Sequence, residues 1–224
     1  MANDVEHAPA PSVPSGPRAD LTERSRERIL RAALEEFARK GFDGTTTAAI
    51  ARHAGVTQPL VHYHFNSKVA LWKAAVHSAF AASALAFAGV EQELCGLDGI
   101  DQLKVMTRRY VRFSASHPEL ARIVSHESMQ GGERLEWLND EAIGGRFDWF
   151  GDLFQKGVAD GWMKPLPVMH VLSCIGASGA YLFMVRASVL ETYGVDVTDP
   201  VVVEQHADTV IEMFFHGLVQ EVGA

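Results

Sequence analysis

Apolar residues at Ile29, Leu30, Ala33, Leu34 and Phe37 repeat at three- and four-residue steps, and Gly41 closes the run. That spacing puts them on one face of a helix and predicts a helix over 21–40. Two shorter helices come next, over 46–53 and 57–63, with Ile50 and the small Ala51 and Ala54 on the first and Leu60 and Val61 on the second. A longer helix is predicted over 66–88, carrying Leu71, Trp72, Ala75, Val76, Phe80, Leu85 and Phe87. Gly89, Gly96 and Gly99 mark a break. Helical spacing resumes over 100–116 with Leu103, Met106, Tyr110 and Phe113, and again over 119–129 after His117 and Pro118. A short piece over 134–139 and a helix over 142–159 come after it, then an uncharged stretch over 165–185. The last helix spans 201–222, with Val203, Val210, Ile211, Phe214, Phe215 and Leu218 apolar and Glu204, Asp208 and Glu212 outside. The reading is all-α, about nine helices.

The corner between the two short helices organises the rest. Thr46 is placed to cap the first, its hydroxyl accepting from a free N–H. Gly55 supplies the left-handed residue at its end, and Val56 plugs the corner. Thr57 opens the second helix, with Pro59 in the first turn, where a missing N–H costs little. Gln58, His62, Tyr63 and His64 are left pointing outward. Ala51 and Gly55 let the second helix cross the first closely, the geometry of a helix-turn-helix whose second helix enters the DNA major groove. An ordinary helical corner has the same outline. The residues after the corner favour DNA: Asn66 is positioned to cap the next helix, and Lys68 in its first turn opposes the helix dipole, a poor choice unless phosphate binds there. Ahead of the corner, Arg24, Arg26, Arg28 and Arg31 make a partly solvated helix face, from which one or two are expected to reach phosphate.

The stretch ILRAALEEFARKGFDGTTTAAIARHAGVTQPLVHYHFNSKVALWKAAV runs uninterrupted over 29–76. Residues 22–80 resemble the DNA-binding domain of the TetR family of bacterial transcription regulators. The resemblance implies a three-helix helix-turn-helix domain followed by a helical ligand-binding and dimerisation domain. The expected division is a disordered tail over 1–20, the DNA-binding domain over 21–80 and the effector and dimer domain over 81–224. It implies that Thr47 sits near phosphate, with Thr46 also among the DNA-binding residues. Thr57, Gln58, Pro59, Leu60 and His62 fall on the recognition helix, and Tyr63, His64 and Lys68 on backbone-contacting positions. Gln58 is the best base reader, because a carboxamide pairs bidentately with adenine, and Leu60 or Pro59 suits a thymine methyl.

The 224 residues carry a net charge of −8, at odds with DNA binding until it is divided. Residues 18–73 have a balance of +4 and 74–224 one of −10, so the positive part coincides with the helix-turn-helix. The acidic remainder argues against an anionic membrane partner. Cys95 and Cys174 are isolated, which fits a reducing cytoplasm rather than a disulfide framework. The first 20 residues lack the apolar core of a signal peptide. No phosphate loop, nucleophile elbow or paired carboxylates point to an enzyme, and no cofactor is expected. Ser125, His126 and Glu127 are adjacent on a helix and diverge, and His62 and His64 diverge likewise, so no metal site is expected.

The uncharged 165–185 stretch is long enough to invite a membrane reading. Its two prolines, His170 and the small, polar centre SCIGASGAY argue instead for burial. Ser173, Gly176, Ala177 and Ala180 form a stripe for close helix contact. The last two helices, about 168–190 and 201–222, are expected to pair with their copies as a four-helix bundle, the homodimer that the resemblance also implies. Two-fold symmetry suits a palindromic operator in double-stranded DNA. The family also implies a small apolar or aromatic effector, for which Tyr110, Phe113, His126, Met129, Phe147, Phe150, Phe154 and Tyr181 are the lining candidates and His126 the polar anchor. Arg109, Arg112 and Glu127 lie among apolar neighbours, and a buried charge needs a partner or a ligand. A plain hydrophobic core is the better account of most of these residues. The expected function is a repressor modulated by the effector; the alternative is a helical ligand-binding or scaffold protein of the same fold without DNA binding.

Overall fold

The computed structural model describes residues 17–143, 145 and 148–218. The 1–16 part of the expected tail, the start of the 142–159 helix around Phe147 and the end of the last helix beyond 218 lie outside them. Among the described residues the chain is helical throughout: α1 (Pro17–Lys40), α2 (Thr47–Ala54), α3 (Gln58–His64), α4 (Lys68–Ala86), α5 (Val90–Leu94), α6 (Gly99–Ser116), α7 (Pro118–Gln130), α8 (Glu133–Trp137) continued by a π-helical turn (Leu138–Ile143), α9 (Asp148–Ala159), α10 (Val168–Met184), α11 (Arg186–Tyr193) and α12 (Pro200–Leu218).

Twelve helices replace the expected nine, for local reasons. The glycine-rich break holds the five-residue α5, started by Gly89 in a left-handed conformation (φ 73°). The helix expected over about 168–190 is broken at Val185, where the chain bends by 64° into α11. α1 starts at Pro17, four residues early, at a position where proline is at home. α4 starts at Lys68, and its cap is Ser67 rather than Asn66, the Ser67 Oγ accepting from the Ala70 N–H at 3.0 Å.

Three groups of buried side chains hold the helices. The first joins Ile29, Ala33, Phe37, Ile50, Ala51, Val61, Leu71, Trp72 and Val76 of α1–α4 to Leu120 and Ile123 of α7 and to Leu138. The helix-turn-helix and the later helices therefore share one apolar core. The second gathers Leu103, Phe154, Met163, Val171, Ile175 and Phe215, and the third Val111, Phe183, Val197, Val203 and Ala207. α6 runs through the middle, packed on α10, α12, α7 and α9. That is why Leu103, Thr107, Val111 and Ser114 are buried while Met106, Tyr110 and Phe113, expected as its apolar face, are half-buried. Thr107 satisfies its hydroxyl by donating to the Leu103 carbonyl at 2.8 Å.

The small-residue stripe of α10 splits between two faces. Gly179 lies under the Tyr110 ring, where a Cβ would come within 2.8 Å of two ring carbons, and the Tyr110 hydroxyl donates to the Gly176 carbonyl at 3.0 Å. Burial raises the pKa of that hydroxyl. Ala180 is buried, whereas Ser173, Cys174, Ala177 and Tyr181 face outward. No single helix among the described residues is long and apolar enough to cross a membrane.

Candidate nucleic-acid interface

Thr46 caps α2 as its position implies, its hydroxyl accepting from the Ala49 N–H at 3.1 Å. Gly55 ends α2 at φ 63°, and the Gly55 and Val56 N–H groups return to the Arg52 and Ala51 carbonyls at 3.2 and 2.9 Å. Such an end needs a residue that tolerates positive φ, which is glycine's role there. Thr57 stands at the start of α3 in an extended conformation, but its hydroxyl makes no capping bond. Val61 is buried and Leu60 half-buried, anchoring α3 as expected.

The opposite face of α3 is open. Thr57, Gln58, Pro59, His62 and Tyr63 are exposed, Tyr63 by 74%. The Gln58 amide donates to the Thr47 hydroxyl at 3.3 Å and lies 3.4 Å from His62 Nε2. The carboxamide is thus held between α2 and its own helix rather than left free to rotate. His64 departs from the outward reading. It is half-buried between Tyr63 and Phe65, with ring centroids 5.3 and 6.1 Å away, and its Nε2 is closed off from solvent without a hydrogen-bond partner. Lys68 holds its ammonium 4.3 Å over the Phe42 ring and 3.5 Å from the Asp43 carbonyl. None of α2, α3 and α4 has an acidic residue in its first turn, so three helix N-termini keep their positive ends uncompensated.

Four supporting contacts have no signal in the sequence pattern. Arg28, expected as a solvated arginine or a phosphate arm, stays exposed but lies across the end of α2: its guanidinium donates to the Ala54 carbonyl and, at 2.8 Å, to the Gly55 carbonyl, capping α2. Thr45 is buried and donates to the Glu36 and Gly41 carbonyls at 3.0 and 2.8 Å. His53 of α2 sits between two carboxylates of α1, 3.1 Å from Glu35 and 3.3 Å from Glu36. Phe42 carries a second cation from α8, the Arg134 guanidinium at 4.2 Å from its ring centre. All but the local Thr45 turn pair residues from different parts of the chain, and spacing along one helix cannot reveal such a pair.

The effector candidates do not converge. Phe113 faces a cavity on α6, stacked on His117 at 4.7 Å. Tyr110 ties α6 to α10, and Phe154 and Phe150 belong to the second core group. His126 lies near Gly41, against the end of α1. Met129 is 76% and Tyr181 63% exposed, and Phe147 lies outside the described residues. The charges on apolar segments have protein partners: Glu127, buried, receives Arg134 at 2.8 Å, and Arg112 forks onto Glu204 at 2.6 and 2.9 Å. Hydrogen bonds from Arg112 and then Arg108 hold the Glu204 carboxyl below the usual range. Among the described residues no group of three or more His, Cys, Asp or Glu is arranged to hold a metal.

An exposed second helix on a capped, close-packed first helix, with positive helix ends around it, defines a helix-turn-helix transcription regulator. Residues 29–75 match the model of the bacterial regulatory proteins of the tetR family, and 100–214 that of the tetracyclin repressor-like C-terminal domain. The chain belongs to the TetR family, whose members are transcription regulators and not enzymes. It is 26% identical over 207 residues to the transcriptional regulator RutR of Escherichia coli, covering 91% of this chain and 95% of that one. It is 27% identical over 136 residues to the transcriptional repressor NicS of Pseudomonas putida, covering 58% and 63% of the two. The crystal structure of the regulator FadR from Bacillus subtilis with stearoyl-CoA shares the fold, with a TM-score of 0.61 at 17% identity, over 85% of this chain and 98% of that one.

Proposed function

We propose that this regulator is a homodimer that represses transcription from a palindromic operator and is modulated by a small effector bound after residue 80. The carrying observation is the exposed α3 face, with Gln58 braced by Thr47 and His62 and three acid-free helix N-termini beside it. Gln58 reads bases from the recognition helix beside Thr57 and His62, Leu60 or Pro59 meets a thymine methyl, and Thr46, Thr47, Tyr63 and Lys68 engage the sugar–phosphate backbone, with His64 packed behind Tyr63. We keep the division into a tail over 1–20, of which 17–20 open α1, a DNA-binding unit over 21–80 and an effector and dimer unit over 81–224. A cytoplasmic location follows from access to DNA.

The dimer is formed by α10 and α12. Their outer faces carry Ser173, Cys174, Ala177 and Tyr181 on one and Val201, Thr209 and Met213 on the other, with Val201 65% and Met213 72% exposed. α10 has no charged residue at all, unusual for a helix face left in water. An effector that favours one separation of the two α3 helices changes operator affinity by its differential affinity for the two states, with α4 as the connecting helix. The stearoyl-CoA held by FadR supports an apolar effector for this fold, and Phe113, Tyr110 and Phe150 remain the residues nearest such a role.

The test is DNA binding by wild type and by Tyr63→Ala with Lys68→Ala, using DNA flanking the protein's own gene at two salt concentrations. Wild type should bind a palindromic segment more weakly at high salt, and the double variant should lose most of that affinity while sedimenting as the same dimer. Absence of binding both there and in selection from random DNA refutes the operator reading and leaves the scaffold alternative.

A further inference from the structure

A cavity of about 240 Å³ opens on α6, lined by Glu93, Arg109, Arg112, Phe113, Ser116 and His117. Phe113 and His117 stack on each other, their ring centroids 4.7 Å apart and their planes nearly parallel at 21°. The same cavity is lined by a guanidinium fork. Arg109 Nε reaches one Glu93 carboxylate oxygen at 3.2 Å, and Nη2 the other at 2.5 Å. The burial of this pair is lopsided: the Arg109 side chain is 17% exposed and that of Glu93 57%. The cation is thus committed to the cavity and must keep an anionic partner. Glu93, one of its partners, stands in water on α5, a five-residue helix, and is replaceable at little cost. Arg112 is held in place by Glu204, so its charge is already matched and it shapes the site rather than opening it.

We propose that this cavity is the effector site and that it takes a small planar carboxylate, whose carboxylate displaces Glu93 from the Arg109 fork while its ring packs beside the Phe113–His117 stack. The inference rests on the effector reading above. Glu93 is the internal stand-in for the ligand: it presents two oxygens to the two nitrogens of the fork, the geometry a bidentate carboxylate requires. The volume lies below the roughly 300–1,000 Å³ of drug-sized sites, so a single ring with one acidic group is the fitting size. Release of Glu93 frees α5, which comes directly after α4, the helix that links the site to the helix-turn-helix.

Calorimetric titration of the full chain without DNA tests this, with sodium benzoate as probe and benzyl alcohol and inorganic phosphate as controls at matched ionic strength. Benzoate should saturate wild type at millimolar concentration or below, and each control should bind at least about tenfold more weakly, lacking either the acid or the ring. The sharpest arm is Glu93→Ala. Removing the internal competitor should tighten benzoate binding about two- to fivefold, the shift expected on losing one exposed ion pair. Arg109→Lys keeps the charge but not the fork and should weaken it about tenfold; Phe113→Leu should weaken benzoate with the fork intact. Weakening by Glu93→Ala and Arg109→Lys alike would mean a purely structural pair and overturn the proposal, as would phosphate binding as well as benzoate, or no saturation in wild type and Glu93→Ala together. Because no DNA is present, failure of the operator reading leaves this result standing, and failure here leaves operator binding untouched.

Discussion

Glu36 is the strongest electrostatic anchor of the helix-turn-helix, and its removal gives a worked test. Its side chain is 8% exposed and accepts from Arg39 at 2.8 Å and Lys40 at 2.9 Å, with His53 of α2 at 3.3 Å. Hydrogen bonds from Lys40 and then Arg39 lower its pKa from 4.5 to about 2, against the opposing effect of burial. At about 1.36 kcal/mol per unit, such a shift corresponds to a ceiling of roughly 3.4 kcal/mol. Arg39 is 61% and Lys40 35% exposed, so solvent screens the pairs and about 1–2 kcal/mol is the realistic contribution. Glu36→Gln keeps the shape and removes the charge. The folded pKa is depressed, so the stabilisation is fully present above pH 4.5 and is lost as pH falls towards 2. Urea unfolding followed by circular dichroism, at fixed protein concentration, should show the variant less stable by about 1–2 kcal/mol at pH 7, equivalent to roughly 2–8 °C in Tm for a chain of this size. The gap should narrow steadily below pH 4.5 as wild type takes up the same proton. A gap that is absent at pH 7, or that stays constant down to about pH 3, refutes the reasoning.

Arg28→Ala removes the guanidinium that caps α2 through Ala54 and Gly55 without touching an outward residue of α3; it should cost about 1–3 kcal/mol in urea unfolding and weaken operator binding in gel shift. Gly157→Ala places a methyl 2.6 Å from the Trp162 ring and 2.8 Å from Met163. The overpacking of about 1–3 kcal/mol should outweigh the helix-propensity gain of alanine, lowering Tm in calorimetry, with relief by Trp162→Leu as the check on cause.

Much of the interface is legible in the amino-acid order alone, because its signals are local. A cap hydroxyl three residues from the N–H it serves, a glycine at positive φ and a proline in a first turn are consequences of backbone geometry, and Thr46, Gly55 and Pro59 occupy those places. Ser67 rather than Asn66 as the cap of α4 shows how weakly such signals set a boundary when two capping residues adjoin. Likewise the bend into α11 was invisible, since no glycine or proline marks Val185. The second half was legible only as helices with apolar faces. Aromatic residues chosen from it as a lining were scattered to the core, the α6–α10 contact and the surface, because periodicity tells which face is apolar but not what lies opposite.

Local sequence by itself determined the helical class, the two-helix corner, most of the outward set on α3 and the separation of positive from negative charge, all of which depend on residues near one another along the chain. Only the tertiary structure decided that Arg28 reaches across to cap α2, that His64 is closed off behind Tyr63, that Arg134 rests on Phe42, and that Glu93 fills the Arg109 fork. The physical reason is common to all four. A charged or polar side chain settles where desolvation is best repaid, and the surroundings that decide this are supplied by the packing of several helices and not by its neighbours along the chain.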